Sequence, residues 1–159
     1  MKLIPALAAL LSLSLPLHAE KIVEVVSKGL KEPFGTAFDA KGTMYVLEMA
    51  SGNRLFRVEA DGKLTHLAGT GEVGYSGDGG PALKAQFNGP HNLAVLPDGN
   101  VLIGDTWNGV VRKVDLKSNT VSPLPGFSAA GADERRCDPY CLTLDFAGTT
   151  LYIANLKQV

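Results

Sequence analysis

The pattern of hydrophobic and polar positions repeats three times along the chain. In each repeat a proline precedes a short apolar run, a turn containing glycine follows, and a second apolar run ends in a carboxylate or an amide. The first runs begin at Pro33, Pro90 and Pro139, and the second runs end at Glu48, Asp105 and Asn155. The prolines lie roughly 50 residues apart, a period typical of the four-stranded blades of a β-propeller.

Two further apolar runs complete the pattern in the first two repeats. Residues 54–58 and 110–114 predict a third strand, and residues 64–68 and 120–124 predict the strand that pairs with it. Proline suits the start of a strand because its missing N–H removes no ladder bond there, and glycine adopts the positive φ that tight turns need. The pattern predicts an all-β chain of four-stranded antiparallel sheets, with at most one helical turn within residues 82–87.

The second repeat has the most specific sequence, which runs from Phe87 to Asp115 as FNGPHNLAVLPDGNVLIGDTWNGVVRKVD. This run resembles an NHL repeat in its proline, its Asp-Gly-Asn turn, its strand ending in aspartate and its Arg-Lys-Val strand. The glycine-rich stretch at 68–82 resembles the connector often found between such repeats in bacterial proteins. The resemblance implies a six-bladed β-propeller related to the gluconolactonase-like group.

The repeats account for about two and a half blades, at residues 30–80, 87–125 and 137–159. Propellers close with about four to eight blades, and an open set leaves strand edges exposed. We therefore expect an incomplete propeller, which is a fragment of a longer protein, the product of a truncated reading frame, or one part of a ring formed by self-association. We favour the fragment or the truncation.

The first 19 residues have the order of a secretory signal peptide. Lys2 gives a basic start, residues 3–17 are almost wholly apolar, and Ala19 precedes Glu20. The apolar stretch is shorter than the about 20 residues of a membrane span. We predict cleavage before Glu20 and export to a periplasm or the extracellular space, with no membrane attachment afterwards. An uncleaved anchor is the alternative.

Charge and cysteine content narrow the possible partners. The chain has 15 basic and 16 acidic residues and no basic run, which argues against nucleic acid as a partner. Cys137 and Cys141 lie close together in sequence, and an oxidising compartment favours a disulfide between them. Free thiols, or a pairing with another cysteine outside this chain, are the alternatives.

Four residues are candidates for ligand binding at the mouth of the propeller channel, where the ends of the innermost strands meet. His91 follows the strand-starting proline of the second repeat, and Phe34 and Tyr140 are its counterparts in the other two. Trp107 follows the strand end at Asp105, where an indole ring is placed to stack on a sugar or a peptide. Packing at the blade interface is the alternative role of Trp107.

Four residues are candidate ligands for a divalent metal, either calcium or zinc: Glu48, Asp105, Asn155 and His91. In propeller lyases that resemble this group, a histidine after such a proline binds zinc, and gluconolactonase-like enzymes hold a metal on Glu, Asn and Asp from several blades. Oxygen ligands suit calcium and imidazole suits zinc. Recurrence in every repeat favours an architectural role for Glu48, Asp105 and Asn155, as acceptors of hydrogen bonds at the strand ends.

Two functions remain in competition. The sequence has no Gly-x-Ser-x-Gly motif, and the stretch from Gly69 to Gly80 lacks the lysine of a phosphate-binding loop. We therefore favour a non-catalytic propeller that acts as a binding scaffold for a protein, a peptide or a glycan. Part of a metal-dependent lactonase-like or lyase-like enzyme is the alternative.

Overall fold

The strands form three antiparallel sheets in the computed structural model, which describes residues 28–126 and 138–155. The first sheet contains β1 (Pro33–Phe38), β2 (Met44–Glu48), β3 (Leu55–Val58) and β4 (Leu64–Ala68). The second contains β5 (Asn92–Val95), β6 (Val101–Asp105), β7 (Val110–Asp115) and β8 (Thr120–Pro123). The third contains β9 (Pro139–Leu144) and β10 (Leu151–Asn155). Strands consecutive in the chain are neighbours in each sheet, so each sheet is a meander.

The predicted all-β architecture is confirmed, and so are the individual strands to within two residues at their ends. The predicted helical turn is a short 3₁₀ helix at Ala82–Lys84, and a second one spans Thr106–Asn108. One boundary differs, because β5 begins at Asn92 and not at Pro90. Gly89 has a φ of 55°, so the chain turns just before Pro90 and pairing with β6 begins with Asn92 opposite Gly104.

The three sheets pack side by side through their first strands. Strand β5 lies between β1 and β9. In β1, a Cβ on Gly35 would stand 3.0 Å from the His91 carbonyl oxygen, so glycine permits this close approach. The geometry is that of neighbouring propeller blades, with β1, β5 and β9 innermost.

Both faces of the second sheet are buried. Along β6, Val101 and Ile103 join the core shared with the first sheet, and Leu102 joins the core shared with Leu142 of the third sheet. This alternation follows the two-residue period of a β-strand. The second sheet therefore holds the other two in place on either side of it.

The glycine-rich connector between the first two sheets is anchored by one buried arginine. The Arg112 side chain is fully buried, and its guanidinium donates to Asp78 Oδ1 at 2.6 and 3.0 Å. It also donates to the carbonyl oxygens of Ser76 and Gln86, each at 2.8 Å. The predicted connector is thus an ordered part of the blade interface.

Residues 1–27, 127–137 and 156–159 lie outside the described structure. The signal peptide predicted at residues 1–19 falls there, and so does Cys137, so cleavage before Glu20 and the disulfide stay predictions. Cys141 is exposed on β9. Within the described ranges, no helix is long and apolar enough to cross a membrane.

Candidate functional site

The four residues predicted at the channel mouth form a single group, which we call the aromatic cluster: Phe34, His91, Trp107 and Tyr140. The His91 ring lies at its centre, with ring centroids 4.6 Å from Tyr140, 5.2 Å from Phe34 and 5.9 Å from Trp107. The rings of Phe34 and Trp107 meet it edge to face. Each of the three sheets contributes at least one ring, so the cluster bridges all three blades.

The cluster is open to solvent around a buried centre. Phe34, Trp107 and Tyr140 are 51%, 50% and 40% exposed, whereas His91 is 7% exposed. Large aromatic side chains that are half exposed and mutually in contact are a typical feature of binding surfaces. The cluster is therefore the principal candidate site in the described structure.

A glycine holds the Trp107 indole in place. A Cβ built on Gly89 would lie 2.4 Å from both Cδ2 and Cε3 of Trp107 and 2.9 Å from Cε2. Near-equal distances to fused-ring atoms mean that the indole lies face-on against the Gly89 backbone. The Trp107 backbone N–H also donates to the Asn88 carbonyl oxygen at 3.1 Å. One indole face is thus covered by protein, while half of the residue's surface remains exposed to solvent.

A backbone carbonyl orients the imidazole of His91. Nδ1 lies 2.7 Å from the Gly89 carbonyl oxygen, which only accepts, so Nδ1 carries the proton and Nε2 of the neutral ring is an acceptor. Nε2 has no protein hydrogen-bond partner among the described residues. Every fully buried side-chain nitrogen or oxygen in these residues has such a partner, so Nε2 is not fully buried. Nε2 therefore reaches solvent between the exposed rings.

A carboxylate lies beside the cluster. Glu32 directly precedes the proline of β1, and its Oε2 accepts the Ser51 backbone N–H at 2.7 Å. Hydrogen bonds from Ser51 lower the pKa of the Glu32 carboxyl, and the electrostatic effect of His91 lowers it further. The segment that leads into β1 therefore carries a negative charge two residues before Phe34.

The residues at the ends of the second strands share one structural role. Glu48 Oε1 accepts the Lys31 backbone N–H at 2.5 Å, and Asp105 Oδ1 accepts the Asn88 backbone N–H at 2.7 Å. Asn155 Oδ1 accepts the Asp138 backbone N–H at 3.1 Å. Each side chain ties the segment that leads into the innermost strand of its own sheet, which supports the architectural interpretation.

Glu48 and Asp105 differ in how their charge is compensated. Arg54 pairs with Glu48 through Nε at 2.6 Å and Nη2 at 3.0 Å. Asp105 accepts from Asn108 Nδ2 at 2.8 Å, and its nearest cation, Arg112 Nη1, is 3.7 Å away. Burial raises the pKa of Asp105 to about 6, against the lowering effect of these contacts.

Two residues that the sequence analysis did not single out tie neighbouring blades together. Asn53 is fully buried, and its Oδ1 accepts the Gly89 backbone N–H at 3.0 Å. Thr106 is fully buried, and its Oγ1 donates to the Pro139 carbonyl oxygen at 2.7 Å. In both cases the loop after the second strand of one blade holds the segment that starts the next blade. Asn53 and Gly109 also have a positive φ at the equivalent position of their repeats, 48° and 74°.

The candidate metal ligands do not assemble into one centre. In residues 28–126 and 138–155, no three His, Cys, Asp or Glu side chains are grouped so that they could hold a metal ion. Glu48 and Asp105 direct their carboxylates into the hydrogen bonds of their own blades, and His91 lies in the aromatic cluster instead. Among the described residues, these candidates therefore do not form a shared metal site.

Comparison with known proteins supports the predicted resemblance. No known family model matches the chain. The bovine NHL repeat-containing protein 2 is 28% identical over 109 residues, which is 67% of this chain. The resemblance to NHL-repeat propeller proteins is thus confirmed in sequence as well as in architecture.

Two solved structures from Bacteroides thetaiotaomicron share the fold. A protein of unknown function superposes on 87% of the chain with a TM-score of 0.70 and 17% identity. An auxiliary nutrient-binding protein superposes on 84% with a TM-score of 0.57 and 13% identity. The chain spans 15% of the bovine relative and 38% and 28% of the two solved chains.

Proposed function

We propose that this NHL-type propeller segment is an exported binding scaffold, which holds a protein, a peptide or a glycan at the aromatic cluster. The observation that carries the proposal is the contact of three half-exposed rings around His91. Export rests on the signal peptide predicted at residues 1–19. The likeness in fold to a nutrient-binding protein is consistent with a binding role.

The energetic argument starts from the exposed rings. A partner that covers these apolar rings gains about 25 cal/mol of favourable free energy for every Å² of apolar surface removed from water. Trp and Tyr are also the residues that most often dominate the energy of protein interfaces. The backbone contacts of Trp107 and His91 hold both rings in position before any ligand arrives, which lowers the entropy cost of binding.

The test compares two double variants of the full mature chain on glycan and peptide arrays. Phe34→Ala with Trp107→Ala removes two rings of the cluster, and we expect it to weaken binding about tenfold or more. The matched control is Phe38→Ala with Phe146→Ala, which removes two rings that are 60% exposed or more at the opposite end of the strands. Equal binding by the two double variants, or no captured ligand with the wild type, would contradict the proposal.

A metal-dependent lactonase or lyase is the second candidate function. It is favoured by the orientation of His91, because metal-binding histidines usually donate their second ring N–H to a carbonyl or a carboxylate, as Nδ1 does here. Further ligands would have to come from outside the described residues. A stoichiometric divalent ion in the purified chain that is lost in His91→Phe would favour this candidate over the scaffold.

A further inference from the structure

We infer that the ligand of the aromatic cluster is a neutral glycan, with one pyranose ring stacked on the open face of Trp107 and one hydroxyl donated to His91 Nε2. This inference rests on the proposed function, because it names the class of ligand held at the same site. It is carried by the stacking surface, the unpaired acceptor and the charge at the mouth.

The stacking surface is a single flat face with a rigid backing. Gly89 covers one face of the indole, and the His91 ring meets it at an interplanar angle of 69°. Trp107 is nevertheless 50% exposed, which leaves ring surface for a ligand to cover. A pyranose ring with equatorial substituents presents a face of C–H groups that matches such a surface in size and polarity.

The acceptor selects a ligand that also donates hydrogen bonds. Within the described residues His91 Nε2 has no protein hydrogen-bond partner, and it belongs to a ring that is 7% exposed beside three half-exposed aromatic residues. A purely apolar ligand would cover this nitrogen and leave it unpaired, at a cost in affinity. A sugar supplies the C–H face and the hydroxyl donor from one rigid ring.

The charge at the mouth selects a neutral ligand over an acidic one. The Ser51 hydrogen bonds hold the Glu32 carboxylate ionised, two residues before Phe34. A carboxylate on the ligand would be repelled by this like charge, whereas a hydroxyl would not. Uronic acids are therefore disfavoured relative to the parent neutral sugars.

The test is calorimetric titration of the full mature chain with two matched ligands. Cellohexaose is neutral and carries only equatorial hydroxyls, and the β-1,4-linked hexamer of glucuronic acid differs from it in the charge at C6. We expect the neutral hexamer to bind at least about tenfold more tightly. Trp107 is the single tryptophan, so a shift of intrinsic fluorescence on binding reports contact at the cluster.

Three variants complete the test. Trp107→Ala should abolish binding, and His91→Phe, which keeps a ring but removes Nε2, should weaken it about tenfold. Phe146→Ala, in the turn between β9 and β10, should bind as the wild type does. Thermal unfolding of each variant shows that it is folded.

The outcomes separate this inference from the function on which it rests. Peptides that bind through Trp107 while neither hexamer binds would overturn the glycan inference and leave the scaffold function in place. Tighter binding of the acidic hexamer, or unchanged binding by His91→Phe, would overturn the inference as well. Absence of any ligand that depends on Trp107 would overturn both.

Discussion

Glu48 and Asp105 occupy equivalent repeat positions and have the same structural role, but the charges around them differ. Glu48 and Asp105 both accept a backbone N–H from the segment before the innermost strand. Both side chains are fully buried, but Glu48 has a close ion pair with Arg54, whereas Arg112 Nη1 is no nearer to Asp105 than 3.7 Å. The Asp105 carboxylate therefore has a raised pKa, about 6.

This raised pKa makes the contribution of Asp105 to stability dependent on pH. Its pKa in the folded chain lies above the ordinary value of 3.8, so folding favours the protonated acid. The contribution is fully present below about pH 4 and is lost as the pH rises through about 6, with a total change of about 3 kcal/mol. Urea unfolding between pH 4 and 7 measures this change. The free energy of unfolding of the wild type should fall relative to that of Asp105→Asn, because asparagine does not titrate.

The matched control for the pH series is Asp115→Asn. Backbone N–H groups, first that of Ser118, lower the pKa of the Asp115 carboxyl, so its contribution is present at neutral pH and lost in acid. From pH 4 to 7 the stability difference between wild type and Asp115→Asn should therefore stay nearly constant, because the contribution of Asp115 is lost only below about pH 4. A wild-type stability that stays parallel to that of Asp105→Asn across the range would show that Asp105 is not perturbed by burial.

The positions of the cluster residues were predictable from the sequence, but their contacts were not. Alignment of the repeats places Phe34, His91 and Tyr140 at equivalent strand starts, and equivalent starts converge around a common axis. The packing of Trp107 against Gly89 depends on a backbone turn and an indole rotamer that no repeat pattern encodes. The sequence therefore predicted where the site lies. The exposure of the Trp107 ring and the lack of a hydrogen-bond partner for His91 Nε2 among the described residues are visible only in the structure.

At the scale of elements, the loops after β2 and β6 join each blade to the next. Thr106 donates to the Pro139 carbonyl oxygen at the start of β9, and a Cβ on Gly104 would lie 2.7 Å from the same oxygen. The contact is short-range and polar, whereas the core around Leu142 is apolar. Docking of the third sheet therefore combines one directed hydrogen bond with a small hydrophobic interface.

Removal of that hydrogen bond should loosen the third sheet selectively. Thr106→Val keeps the shape of the side chain but leaves the buried Pro139 carbonyl oxygen without this donor, at a cost of about 1–3 kcal/mol. We expect faster amide hydrogen exchange in β9 and β10 than in the wild type, with little change in the first sheet. Thr143→Val, on the exposed side of β9, is the control. Equal acceleration in all three sheets would contradict this role of Thr106.

The sequence predicted where the strands begin and end better than it predicted the contacts that join them. Alternation of apolar residues, together with proline and glycine, located every strand, because a half-buried strand and a tight turn each impose a local constraint on residue type. The start of β5 was misplaced because the positive φ of Gly89 moves the turn. Arg112 gave no sequence signal of burial, since a basic residue in a strand is usually exposed.

At the scale of the whole molecule, the export prediction has a direct test. If residues 1–19 are a cleaved signal peptide, expression in a secreting host should give a mature chain whose first residue is Glu20. Intact mass spectrometry of the secreted fraction measures this, and the same sample under non-reducing alkylation shows whether Cys137 and Cys141 are joined. Retention of the full chain in the membrane fraction would instead support the uncleaved anchor.

The hydrogen bonds from Asn53 and Thr106 give the row of blades a direction. At both junctions a loop of one blade donates to or accepts from the segment that starts the next blade. The leading side of a blade therefore fits the trailing side of its neighbour, and two identical sides do not fit each other. Such head-to-tail contacts specify the junction and leave the total number of blades to the rotation accumulated at each step. Duplication of one whole unit would therefore add a junction with the same direction, so the number of blades in such a protein can change without any blade reversing its orientation.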